Sequence, residues 1–131
     1  MSGGTTGTPK GVVGTHRGMV TAGHQLQSWL RPVLCEWTDT IMLPLPLFHT
    51  YANTGVQSLA LVNHNPIALI PNRRELREVL REINEVKPEL IGAGPTRRIG
   101  LVNHPLHREG KGSGSTTKLC CSGEAGQEAR R

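Results

Sequence analysis

Residues 2–11 read Ser2-Gly3-Gly4-Thr5-Thr6-Gly7-Thr8-Pro9-Lys10-Gly11, and the remaining 121 positions are best interpreted outward from this loop. Its glycines let the backbone come close to a ligand, where a Cβ would obstruct the approach. Ser2, Thr5, Thr6 and Thr8 offer hydroxyl donors between them, and Lys10 adds a positive charge. Amide N–H groups curled round a concavity, with hydroxyls and one ammonium beside them, suit a polyphosphate. The Walker loop is excluded: it needs Gly, four residues and Gly-Lys-Ser/Thr, whereas Pro9 precedes Lys10 and Gly11 follows it. The dinucleotide fingerprint G-x-G-x-x-G fails as well, because no glycine stands at position 5, 9 or 10. A flexible Gly/Thr-rich tail is the plain alternative, and the Pro9-Lys10-Gly11 ending argues against it. Residue types alone therefore make this stretch phosphate-binding and no more.

Beyond the loop, Thr15 is a good helix N-cap, with His16 and Arg17 expected to be solvated at the start. Met19, Ala22, Leu26 and Trp29 recur at steps of three and four, the stripe of an amphipathic helix ending near Arg31-Pro32. The stretch from Thr40 begins as a buried strand, and Pro44 and Pro46 remove ladder donors, so the chain must leave the sheet by about Pro44. His49 follows, read either as a cap on the next segment or as a functional group. A helix is expected from Asn53 to Leu61 and a short strand from Ile67 to Ile70. Asn72 with Glu75 forms a start resembling a capping box. Leu76, Val79, Leu80, Ile83 and Val86 then make the apolar stripe of a helix that Pro88 stops. Its charged face is read as solvated surface. Glu89 to Ala93 reads as a strand, Pro95 opens a helix through Val102, and residues 110–117 form a flexible Gly/Ser-rich loop. Lys118 to Ala125 is a strand leading into a turn. Strands alternating with helices predict an α/β fold with a largely parallel sheet.

Composition narrows the class. A length of 131 residues suits one domain, and 36% hydrophobic with 3% aromatic residues leaves few large core anchors. The net charge of +5 fits an acidic partner such as a nucleotide. It argues against nucleic acid, because the basic residues alternate with glutamates and no aromatic platform is interleaved with them. Cys35, Cys120 and Cys121 are odd in number, with two adjacent, which is no disulfide framework and suits a reducing compartment. A zinc set of His104, His107, Cys120 and Cys121 is disfavoured by Pro105, which breaks the helix such a pair would want. No stretch approaches the ~18 apolar residues of a membrane span.

Position by position, the opening loop resembles the phosphate loop of the AMP-forming adenylate enzymes. These comprise the acyl-CoA synthetases, luciferases and peptide-synthetase adenylation domains. Their loop reads roughly Tyr/Thr-Ser/Thr-Gly/Ser-Gly-Thr-Thr-Gly-x-Pro-Lys-Gly. Further points of likeness follow in order: Thr15-His16-Arg17, with Gly18 departing from the family's Asn; Leu47-Phe48-His49, similar to Leu-Pro-x-Phe/Tyr-His; Ala93-Gly94-Pro95-Thr96; and Ser122-Gly123-Glu124-Ala125. The likeness runs from residue 2 to about 126 and is nearest to the long-chain fatty acid CoA ligases.

The resemblance implies a partial N-terminal subdomain of the adenylate-forming fold, residues 1–131 being part of an AMP-binding domain. It implies ATP-dependent activation of a fatty carboxylate as acyl-adenylate, with transfer to coenzyme A, in the cytoplasm or at a membrane surface. By resemblance Ser2, Gly3, Gly4, Thr5, Thr6, Gly7, Thr8 and Lys10 hold the phosphates, with Ser2 nearest a Mg²⁺ ion. Lys10 and His49 are the catalytic pair, His49 helping to position the acyl carboxylate, and Gly123, Glu124 and Ala125 line the adenine. The family's aromatic-Gly-x-Thr-Glu motif, ribose aspartate and C-terminal lysine have no match here, and Met1 stands where the family has an aromatic residue. The chain is therefore expected to be an internal piece of such an enzyme and inactive in isolation. A catalytically silent nucleotide-binding or interaction domain of the same fold is the other reading.

Overall fold

A computed structural model describes residues 11–70, 74–105 and 117–121. The order is α1 (His16–Leu30), β1 (Ile41–Leu43), a π-helical segment (Tyr51–Gln57) running into α2 (Ser58–Val62), β2 (Ile67–Leu69), α3 (Leu76–Val86), β3 (Leu90–Gly92), α4 (Pro95–Asn103) and β4 (Leu119–Cys121). The strands form one sheet in the order β2-β1-β3-β4. Every pairing is parallel, with Ile41 opposite both Ile67 and Leu90, and Leu90 opposite Leu119.

Alternation along the strands builds two cores. Ile41, Leu43 and Leu90 pack with Ala52, Val56, Leu59 and Ala60 of the π segment and α2. Met42 and Ile91 point the other way, against Val79, Leu80 and Ile83 of α3 and Leu101 of α4. A strand buried on both faces reads as a continuous apolar run, which is why Ile41-Met42-Leu43 carries no polar residue. β1 reaches β2 through the helices of one face. The chain then reverses direction along the sheet and reaches β3 through α3 on the opposite face, as crossovers of a single hand require.

The elements match the sequence expectation with four corrections. In α1, Thr15 caps as expected, its hydroxyl accepting from Gly18 N at 3.1 Å. The packed face, however, is centred on Gly23, and Trp29 is 83% exposed. A Cβ on Gly23 would lie 2.6 Å from Ser58 O and 2.7 Å from Val62 Cγ2, so the missing side chain is what lets α1 sit against α2. The second helix starts at Tyr51, two residues earlier than expected, with the wider π pitch in its first part. In α3, Glu75 occupies the N-cap itself and makes no side-chain capping bond; Asn72 lies outside the described residues. That helix ends because Lys87 turns left-handed (φ 51, ψ 55) before Pro88 is reached.

At the amino edge of the sheet the connections are tied together by polar side chains. Asn65 Nδ2 donates to Cys35 O and Asp39 O, both at 2.8 Å, and Asn65 Oδ1 accepts from Asn63 Nδ2 at 2.6 Å. Glu89 Oε2 accepts from Thr40 N at 2.7 Å. Lys118 Nζ meets Asp39 Oδ2 at 2.7 Å, joining β4 to the entry of β1. Thr117, the last residue of the expected 110–117 loop, donates from its hydroxyl to Pro88 O at 2.9 Å; residues 110–116 lie outside the described residues.

Candidate active site

In a doubly wound sheet, ligands bind outside the carboxyl ends of the strands, where neighbouring strands send their connections to opposite faces. Here that point falls between β1 and β3. β1 leaves towards the face of the π segment and α2, and β3 leaves towards α3 and α4. The connections that diverge there are Pro44 to Thr50 after β1, and Ala93-Gly94 after β3.

Local chemistry shapes the first connection. Pro44 and Pro46 lack N–H groups and release the chain from the ladder. The backbone then turns, His49 N donating to Pro46 O at 2.9 Å and His49 O accepting from Asn53 N at 3.0 Å. Both Phe48 and His49 are exposed, Phe48 by 87%. Phe48 and His49 thus stand side by side in solvent at the carboxyl end of β1. His49 Nδ1 accepts from Tyr51 N at 3.3 Å. The imidazole thus does cap the following segment, and the capping uses only one of its two nitrogens.

Beneath this turn the packing is close. Ala52 is fully buried and Val56 nearly so. A Cβ on Gly92 would fall 2.7 Å from Val56 Cγ2, so the glycine that ends β3 sets how near the π segment lies to the sheet. Sequence reasoning did not single out Gly92 or the Tyr51 amide. Gly92, a glycine in the last position of a buried strand, is a signal of close backbone approach, whereas nothing in residue types marks a main-chain amide.

Ser2, Gly3, Gly4, Thr5, Thr6, Gly7, Thr8 and Lys10 lie outside the described residues, as do Gly123, Glu124 and Ala125. Cys121, two residues before the first residue expected to line the adenine, ends β4 opposite Gly92, at the same carboxyl edge as His49. Between α1 and the π segment is a cavity of about 220 Å³ lined by His16, Met19, Asn53, Gln57 and Leu61. It is mostly apolar and smaller than the ~300–1,000 Å³ of ordinary ligand pockets, so it does not hold a nucleotide by itself. Among the described residues no group of three or more His, Cys, Asp or Glu could hold a metal ion. No helix there is long and apolar enough to cross a membrane.

Comparison with known proteins places this geometry. The family model described as "AMP-binding enzyme" matches residues 1–130. The chain belongs to that family. A long-chain-fatty-acid–CoA ligase of Bacillus subtilis is 34% identical over 95% of this chain and 21% of its own length. The 4-coumarate–CoA ligase 4 of Arabidopsis thaliana is 33% identical over 79% of this chain and 18% of its own. Among solved structures, the inhibitor-bound N-terminal domain of FACL13 from Mycobacterium tuberculosis superposes with a TM-score of 0.77 at 28% identity, covering 98% of this chain and 31% of that one. The chain thus spans about a fifth of the length of these curated relatives. Both the α/β fold and the place of the chain in the N-terminal part of an adenylate-forming enzyme agree with the sequence expectation.

Proposed function

We propose that this chain is the phosphate-loop portion of an ATP-dependent acid–CoA ligase acting in the cytoplasm on a long-chain fatty carboxylate. The observation that carries the reading is the position of His49 on the switch point of the sheet, in a chain whose match to the family runs through residues 1–130. The long-chain relative, matched over more of this chain than the coumarate one, favours an aliphatic acid. Because the relatives are about five times longer, the complete reaction is proposed for a polypeptide of their length.

Bringing a carboxylate to ATP sets two anions against each other while negative charge builds on departing pyrophosphate. Donors fixed where that charge develops lower the barrier. In this chain Ser2, Thr5 and Thr6 hydroxyls, the amides of Gly3, Gly4 and Gly7, Thr8, and the Lys10 ammonium bind and orient the β- and γ-phosphates. The donor chemistry also fits Mg²⁺, a hard cation that takes oxygen ligands and binds through few protein groups plus substrate phosphates. Ser2 would hold it, and when bound it adds charge stabilisation at the phosphates. His49 orients the carboxylate, Gly123, Glu124 and Ala125 line the adenine, and coenzyme A receives the acyl group.

Pyrophosphate release from ATP tests this, measured on the product of the complete reading frame with a long-chain fatty acid and with 4-coumarate. We expect release to be faster with the fatty acid and to fall by about 10²–10³-fold in Lys10→Ala, the usual effect of removing one charge-stabilising donor. The 131 residues alone are expected to release none. ATP binding without release by the complete product would favour the silent nucleotide-binding domain.

A further inference from the structure

His49 is exposed, yet three hydrogen bonds fix it. Its amide donates to Pro46 O, its carbonyl accepts from Asn53 N, and its ring Nδ1 accepts from Tyr51 N. The donor of the third bond is itself immobilised, because Tyr51 opens the π segment directly before Ala52, which is wholly buried in the core. An N–H pointing at Nδ1 requires a lone pair there, and a neutral imidazole with a lone pair on Nδ1 carries its proton on Nε2. We propose that the Tyr51 main-chain N–H is a positioning group: it holds His49 as the Nε2–H tautomer and leaves a hydrogen-bond donor, not a base, on the exposed ring at the carboxyl end of β1.

The chemical consequence rests on the ligase reading. A carboxylate accepts hydrogen bonds and has no proton to give when ionised, so the group that orients it must donate. A His49 held as Nε2–H meets that need without a rearrangement on binding. The same bond engages the main-chain amide that opens the π segment, so capping and orientation are two uses of one ring.

The test is nitrogen NMR on the full chain with ring-labelled histidine, His49 being assigned by the signal missing in His49→Asn. At alkaline pH we expect a single tautomer, with Nδ1 unprotonated and Nε2 protonated. Hydrogen exchange at the Tyr51 amide should speed up about fivefold in His49→Ala, the ratio corresponding to about 1 kcal/mol of capping. It should return to the original rate in His49→Asn, whose Oδ1 can take the same amide as an Asx turn does. An Nδ1–H tautomer, or Tyr51 exchange indifferent to His49→Ala, overturns the proposal. None of these readouts involves ATP. A fixed tautomer together with unchanged adenylation in His49→Asn would keep the tie and remove His49 from the proposed reaction.

Discussion

Single side chains in this molecule divide their hydrogen-bonding atoms between holding the fold and facing outward. His49 turns Nδ1 inward to the Tyr51 amide, whereas Asp39 turns Oδ2 to two partners within the fold, accepting from Cys35 N at 2.9 Å and from Lys118 Nζ. Burial pushes the Asp39 carboxyl up, but the Lys118 hydrogen bond, the Cys35 amide and the Lys118 charge outweigh it and hold it below the usual carboxylate range. The hydrogen bond from Lys118 to Asp39 raises the lysine in turn, against a smaller opposing effect of desolvation. A depressed carboxyl contributes stability that is complete above its unfolded value of about 3.9 and fades as pH falls through the folded-state value. A raised lysine contributes below its unfolded value of about 10.4 and fades as pH rises through its folded-state value. The pair's contribution is therefore flat across neutral pH. Urea unfolding should show Asp39→Asn less stable than the parent at pH 7, with the gap narrowing below about pH 4. A gap that held its size at acid pH would mean the charge of Asp39 contributes nothing.

Among the elements, Gly23 is the residue on which helix packing turns. Alanine in a helix interior is ordinarily better than glycine by about 0.5–1 kcal/mol. Here the added Cβ meets a backbone carbonyl at 2.6 Å and a valine methyl at 2.7 Å, and overpacking of this kind costs about 1–3 kcal/mol. The second effect is larger, so Gly23→Ala should lower the urea midpoint; a rise would show that α1 can shift away from α2 without loss. The same glycine explains what was hidden in the sequence. Periodicity registers apolar side chains, so it traced α1 through Met19, Ala22, Leu26 and Trp29, of which Leu26 packs against the core while Met19 and Trp29 are exposed, and it gave no weight to a residue whose contribution is having no side chain. α3 was legible because its contact is made by Val79, Leu80 and Ile83, all buried. The π pitch of Tyr51–Gln57 was not, since residue types predict helix and do not distinguish its pitch.

For the whole molecule, the alternation of strand and helix disclosed a parallel sheet, but its order could not be read locally. β3 pairs with β1 across an intervening β2 and α3, and no periodicity records which non-consecutive strands meet. That order creates the switch point, so the sequence named His49 without showing why it stands there. The sheet's two edges now carry different loads. The amino edge is stitched by Asp39, Asn63, Asn65, Glu89 and Lys118, while the carboxyl edge exposes Phe48 and His49, with Gly92 buried against Val56 beneath them. Asn65→Ala tests the division. It strips hydrogen bonds from Cys35 O, Asp39 O and Asn63 Nδ2 at a buried position, and leaving even one buried partner unsatisfied costs about 1–3 kcal/mol. We expect a clear fall in the urea midpoint, with ATP affinity per folded molecule unchanged when calorimetry is run where the variant remains folded. Lys10→Ala should do the reverse, weakening ATP binding more than it lowers the midpoint. If Asn65→Ala weakened ATP binding as much as Lys10→Ala does, the amino edge would be part of the site and the assignment of function to the carboxyl ends of β1 and β3 would fail.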